Sequence, residues 1–345
     1  MSPHVATNSS VTMSSTLTMS RSGTMNNQVT MRRNGAMSRR VGIATIALAL
    51  ASGLTAALSI LWRGDLATTT VITPRGELVE LVTTGVYAHN SLPVVAEGLG
   101  WDLVTLVLAA PALLGCSLIA MRGSRRALYA SLGLVTYLFY QYLMYATYWA
   151  FGPLFLMHVA LYAVAIVLAF MILAAAKPAR QWLATPAFPR RVVIGFCFAV
   201  AMVLIALWGK RIATAYASAT PQLFGTTTLT VQALDLGLMV PLAFAVDVLL
   251  IRRHGLGIPL SISVLVHGVA MFTAILAMVL VRWAAEGVTG VEEFAVFVVL
   301  DAVSLGILAR ALRTIPNADR PIERRDAAEP AGGAGITLAR EATEF

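Results

Sequence analysis

Between residues 41 and 312 the chain alternates apolar runs of about twenty residues with short polar or turn-forming breaks. The runs cover residues 41–62, 101–121, 127–148, 153–176, 192–209, 231–251, 258–281 and 294–312. At about 1.5 Å per residue, such a helix matches the roughly 30 Å hydrocarbon core of a bilayer. The pattern predicts an all-α fold, a polytopic transmembrane helical bundle of about eight spans. The stretch Trp101–Arg126 displays the element in full: Asp102 at one end, an apolar run to Met121 broken by Pro111, then Arg122, Arg125 and Arg126.

The polar breaks are mostly short, and residues 63–100 form the longest. Within them Leu78, Val79, Leu81 and Val82 alternate with Glu77 and Glu80 at helical spacing, which predicts a short amphipathic helix lying on the outer surface. A lid over a cavity is the functional alternative, because long ordered loops are often binding elements. Residues 11–40 are five hexapeptides, VTMSST, LTMSRS, GTMNNQ, VTMRRN and GAMSRR. With so little apolar content, residues 1–40 are expected to be disordered, as is the charged tail 313–345. Three readings compete for the hexapeptides: a start mis-called upstream of a true one near Met37, a presequence, or an interaction tail. The first is favoured because MSRR followed by an apolar run reads as a complete beginning.

Composition sharpens the membrane reading. Hydrophobic residues make up 58% of the chain and charged ones 12%, against about 25% charged in soluble domains. The net charge of +8 does not indicate a nucleic-acid partner, because the arginines gather at the ends of apolar runs. Alternating the sides from a cytoplasmic N-terminus leaves only Arg63, Arg75, Lys210, Arg211 and Arg282 of the 25 basic residues outside. That asymmetry predicts both termini in the cytoplasm and a location in the cell (inner) membrane. Cys116 and Cys197 both lie inside spans, so no disulfide framework follows.

A shift of 130 residues places Pro111 on Pro241, Arg122 on Arg252 and Tyr137 on His267, with Asp102 and Asp235 three residues out of register. Two related four-helix halves are expected. Both halves start and finish on the same side, which makes the repeat parallel, about an axis along the membrane normal.

Ionisable groups inside spans are costly, so each is a functional hypothesis. Asp102 and Asp235 fall in the first turns of their spans, where the helix dipole favours an acid. Asp247 lies one turn from Arg252 and reads as structural. Asp301 lies roughly 10 Å below the outer boundary and needs a partner, a proton or a water-filled cavity. His158 shares that depth and is its expected partner. The third span carries Tyr137, Gln141, Tyr145 and Tyr148 on one helical face, either as polar interhelical packing or as a ligand-lining stripe. Tyr148 and Trp149 also fit an interfacial aromatic belt. The histidines lie at different depths and no HxxH, CxxC or HExxH spacing occurs, so neither a cofactor nor a metal site is expected. Gly98 and Gly100 read as no more than a turn.

GWDLVTL at 100–106 with Pro111, RGS at 122–124, the tyrosine-rich third span and DLGLMVPL at 235–242 resemble a family of uncharacterised bacterial polytopic integral membrane proteins. The resemblance covers residues 41–312; it implies the architecture and supplies no activity. The leading expectation is a transporter or small-ligand-binding membrane protein. Its outward-facing polar cavity would be lined by Asp102, Asp235, Asp301, His158, Tyr137, Gln141, Tyr145 and Tyr148. The partners are then the lipid bilayer and an unidentified small molecule. The alternatives are a membrane-embedded enzyme on a lipid-like substrate, with Asp301 and His158 as acid and base, and a scaffold without chemistry.

Overall fold

The computed structural model describes residues 37–176, 187–287 and 291–316. The hexapeptide tail through residue 36 and the tail beyond residue 316 lie outside the described residues. Among the described residues eight long helices follow one another: α1 (Arg39–Leu61), α2 (Leu92–Met121), α3 (Arg125–Thr147), α4 (Phe155–Ala175), α5 (Arg190–Ala217), α6 (Thr230–Ile251), α7 (Gly257–Glu286) and α8 (Val291–Thr314). All but α3 are long and apolar enough to cross a membrane. The protein is a multi-pass membrane protein built as an all-α bundle.

Local chemistry fixes where these helices begin. The Ser38 hydroxyl accepts the Val41 N–H at 3.3 Å and the Ser124 hydroxyl accepts the Ala127 N–H at 3.4 Å, each satisfying an orphan donor of the first turn. Helix α2 starts nine residues earlier than its apolar run suggests: Ser91 stands in extended conformation at the N-cap position, without a side-chain cap bond, and Pro93 fits the first turn, where its missing N–H costs nothing. Asp102 is therefore not at an interfacial helix start but three turns in.

Helix α3 is too polar to qualify as a span by hydropathy, yet most of its residues are buried, including Tyr137, Tyr140, Gln141, Tyr142 and Tyr145. It packs against α2, α4 and α7. A helix so enclosed has no lipid face to keep apolar, and its polar side chains find partners on its neighbours.

The expected amphipathic helix between α1 and α2 is instead an antiparallel hairpin, β1 (Thr68–Ile72) paired with β2 (Leu78–Val82), with Thr70 opposite Glu80. The run TTTVI is β-branched throughout, and the turn Thr73–Gly76 carries Gly76 at φ 82°, a backbone region open to glycine. With a β-branched partner available, LVELV pairs as a strand and buries Val79 and Val82.

The two halves repeat. Helices α2 and α6 each contain one widened, π-helical turn, Thr105–Ala109 and Asp235–Met239, which are 130 residues apart. In each, the N–H before the proline closes on the first residue of the turn, Ala110 on Thr105 and Val240 on Asp235. Pro111 and Pro241 have no N–H and their rings crowd the carbonyl one turn back; the wider turn relieves that crowding. The ends of α2 and α6 also match. Gly123 N–H bonds to Ala120 O and Ser124 N–H to Ile119 O, while Arg253 bonds to Leu250 and His254 to Leu249. Gly123 and Arg253 both have positive φ, 102° and 51°.

Packing repeats as well. Within the first half α1 meets α2, α2 meets α3, α3 meets α4 and α4 meets α1; α5 to α8 make the corresponding set. The halves join where α7 crosses α3 and the first part of α2. A Cβ on Gly133 would fall 2.5 Å from Val266 Cβ and 2.7 Å from Ser263 O, and one on Gly100 would fall 2.5 Å from Met278 N. Gly98 and Gly100 are thus contact residues of α2 and not a turn, their missing side chains admitting Trp149 and the backbone of α7. Ser263 is the 130-residue counterpart of Gly133, and His267, which contacts Tyr137, is the counterpart of Tyr137. Residues that touch their own counterparts lie beside a two-fold axis. Here the axis is approximate and runs along the bundle between the parallel helices α3 and α7, since α7 packs on the first part of α2 more extensively than α3 packs on the first part of α6.

Candidate functional site: a polar seam between the halves

The first cluster is built on α2 and α3. Thr105, the first residue of its widened turn, donates its hydroxyl to Gln141 Oε1 at 2.6 Å. Gln141 Nε2 donates to the Tyr145 hydroxyl at 3.0 Å, and that hydroxyl lies 3.1 Å from Asp102 Oδ1 and 3.2 Å from Gly98 O. Tyr87, from the segment after the hairpin, donates to Asp102 Oδ2 at 2.6 Å. Asp102, Thr105, Gln141 and Tyr87 have no solvent exposure. Burial, reinforced by the Asp102 carboxylate, holds the Tyr87 phenol well above the usual tyrosine range. It therefore stays a hydroxyl donor to Asp102 at any physiological pH.

The second cluster surrounds Asp235, the counterpart of Thr105. The Tyr140 hydroxyl donates to Asp235 Oδ1, and Trp208 Nε1 on α5 donates to Oδ2 at 2.8 Å. Both widened turns thus send their first side chain to the same helix, α3. Between the clusters stands His267, edge-on to Tyr137 at 6.2 Å and to Tyr140 at 5.8 Å between ring centres. The Tyr137 hydroxyl faces the Thr105 side chain, but neither it nor His267 Nε2, both buried, has a hydrogen-bond partner at bonding distance.

Of the predicted residues, Asp102, Gln141 and Tyr145 form one network, with Tyr137 beside it and Asp235 across His267. His158 is buried beside Tyr145, its ring among those of Tyr142, Tyr145 and Trp149 at 5.9, 5.0 and 6.0 Å, with Nε2 unpartnered. Tyr148 closes α3 through its N–H to Met144 O at 2.8 Å and is half-buried. Asp301 stands apart on α8: Thr273 Oγ1 lies 3.2 Å from its Oδ2, and its Oδ1 is unpartnered. No hydrogen bond joins it to His158, so the expected acid–base pair is not assembled. Asp247 likewise makes no pair with Arg252, and both its carboxylate oxygens are buried without partners.

Of the predicted residues Asp102, Tyr137, Gln141, Tyr145 and His158 are buried, while Asp235, Tyr148 and Asp301 are half-buried. The grooves at the loop end, of about 600 and 390 Å³, are walled by the hairpin, Ser91–Pro93 and residues of the segment 212–236, and hold none of them. Sequence reasoning left Tyr87, Thr105, Tyr140, Trp208 and His267 outside the site. Thr105 and Asp235 carried a signal, since each precedes its proline by six residues. Among the described residues no group of three or more His, Cys, Asp or Glu side chains is placed to hold a metal ion.

No protein-family model, curated protein or solved structure matches the chain.

Proposed function

We propose that the protein is a transporter or small-ligand-binding protein of the cell (inner) membrane, with both termini cytoplasmic. Its binding site is the polar seam between the four-helix halves, in a closed arrangement. One observation carries this reading: the Tyr137 hydroxyl and His267 Nε2 are buried without partners beside the two-fold axis, between two carboxylate clusters. A buried polar atom without a hydrogen bond costs free energy, and a packing role alone is met more cheaply by apolar residues. A small polar solute bearing a donor and an acceptor satisfies both atoms. Counting about 1.5 Å per residue from the arginine end, Tyr137 lies about 18 Å along α3 and His267 about 15 Å along α7, near mid-membrane. Repeat-built transporters bind their cargo at that depth, at the interface of the repeats.

The test is a panel of small polar solutes, read by thermal shift on purified protein and by uptake into proteoliposomes. A solute that stabilises the wild type is expected to lose its effect in Tyr137→Phe, which keeps the ring, and in His267→Phe, which keeps an aromatic ring and removes both nitrogens. Equal shifts in wild type and both variants across the panel would sink the reading.

A further inference from the structure

We infer that Asp102 is a proton-exchanging site, and that the Tyr145 hydroxyl is the swivel that lets it change protonation state without moving the helices. Use of that proton to drive solute movement rests on the transport reading; the exchange itself does not. The argument starts from the neighbours of one oxygen. Tyr145 Oη has Gln141 Nε2, a fixed donor, at 3.0 Å, and two acceptors, Asp102 Oδ1 at 3.1 Å and Gly98 O at 3.2 Å. One hydroxyl proton cannot serve both acceptors. With Asp102 ionised, Tyr145 donates to Oδ1 and Tyr87 donates to Oδ2 at 2.6 Å. When a proton binds Oδ1, the new O–H donates to Tyr145 Oη, and the Tyr145 hydroxyl turns to Gly98 O. The carboxylate gains one proton, its charge goes from −1 to zero, and no other covalent bond is made or broken; the Tyr145 hydrogen bond only changes its acceptor. Every polar atom is satisfied in both states, which a purely structural acid does not require.

The surroundings supply no competing charge. Among the described residues no Lys, Arg or His side chain bonds to Asp102, so its burial must be balanced by donors or by a proton. The titratable groups facing it are Tyr87 from the loop and Tyr137, Tyr142 and Tyr145 from α3. His158 on α4 is one ring away, against Tyr145, and His267 on α7 is beyond Tyr137. Helix α7 meets α2 at Gly100 through the backbone of Met278. Farther toward the loop end stand Glu97 on α2 and Arg282 on α7; α1 brings Ser59 near Asp102 and has its arginines at the opposite end.

The experiment is infrared difference spectroscopy of the full chain in lipid nanodiscs, stepping the pH in sodium-containing and sodium-free buffer. A protonated-carboxyl C=O band is expected to grow as pH falls, to be lost in Asp102→Asn, and to persist in Asp235→Asn and Asp301→Asn. In Tyr145→Phe and Tyr87→Phe the band is expected to shift, because each removes one hydrogen-bond partner of the carboxyl. If Asp102→Asn does not fold, these two variants decide alone. Spectra of Asp102→Asn identical to wild type, a band unmoved by either tyrosine variant, or a band that responds to sodium and not to pH would each overturn the site. Proteoliposome uptake separates the two proposals. A titrating band without uptake of any solute leaves the proton site and removes transport, and uptake with no Asp102 band does the reverse.

Discussion

The Thr105 hydroxyl shows how a single side chain ties two helices in an apolar medium. Its 2.6 Å bond to Gln141 Oε1 is the end of the chain that reaches Asp102. Replacing it by valine keeps the shape and leaves Gln141 Oε1 buried without a donor. The cost is about 1 kcal/mol, at the low end for a buried polar atom because chains unfolded in lipid also find partners. Thr105→Val is expected to lower the thermal midpoint in detergent, and Thr105→Ser to leave it near wild type. At this scale the sequence was half legible. Gln141 and Tyr145 share a face because they are four residues apart on a helix, a relation visible in the letters. The pairing of His158 with Asp301 rested on equal depth, and depth says nothing of direction around the bundle axis. Tyr87 and Trp208 reach the acids through a loop fold and a helix contact that no local pattern records.

The hairpin is the element that the sequence concealed, since Leu78–Val82 satisfies a helical and a strand spacing alike, and only pairing with Thr68–Ile72 decides. The helices were legible by length because hydrocarbon thickness dictates it, and α3 was legible despite its polarity because it lies between flanking breaks. Beyond shape, the hairpin fastens one half to the other. Glu77 Oε1 accepts the Phe224 N–H at 2.8 Å and Oε2 the Gly225 N–H at 3.4 Å, while Arg211 holds Gln222 O at 2.5 Å and lies 5.5 Å from the Phe224 ring centre. Removing the carboxylate in Glu77→Ala should cost about 1 kcal/mol at this partly exposed site, so amide exchange at Phe224 and Gly225 is expected to rise about fivefold. Unchanged exchange would show that Arg211 alone holds the segment. The hairpin's other anchor titrates. Asp65 Oδ1 accepts the Thr84 hydroxyl at 2.5 Å and the Ala67 N–H at 3.2 Å, and these bonds hold its carboxyl below the usual aspartate value. A group whose folded value is depressed contributes above its unfolded value and loses that contribution as pH falls through the folded one. The stability of wild type over Asp65→Asn, from denaturation midpoints, is therefore expected at neutral pH and lost as the pH falls through the lowered Asp65 value.

For the whole molecule the deciding relation is the two-fold axis between α3 and α7, because it determines which surfaces the halves share and which they show to lipid. Helices in a bilayer gain little from hiding apolar groups from one another, since lipid is as apolar as leucine; close backbone approach through small residues holds them together. Glycines should therefore divide into two kinds. At Gly133 an added Cβ meets Val266 and Ser263 within 2.7 Å, and at Gly100 it meets the backbone of Met278 within 2.6 Å. Gly195, Gly209 and Gly306 are exposed on helix faces, and a Cβ there meets nothing within 4 Å. Alanine at any helical glycine gains up to about 1 kcal/mol of helix propensity. At the crossing, overpacking costs about 1–3 kcal/mol and outweighs that gain, since the obstacles at Ser263 and Met278 include backbone atoms that cannot swing away. Thermal unfolding in one detergent should then show Gly133→Ala and Gly100→Ala below wild type, and Gly195→Ala, Gly209→Ala and Gly306→Ala at or above it. Were Gly133→Ala to behave like the exposed set, the halves would not meet at this crossing. Tyr137 and His267, one turn along the same two helices, would then lose the axis that brings them together.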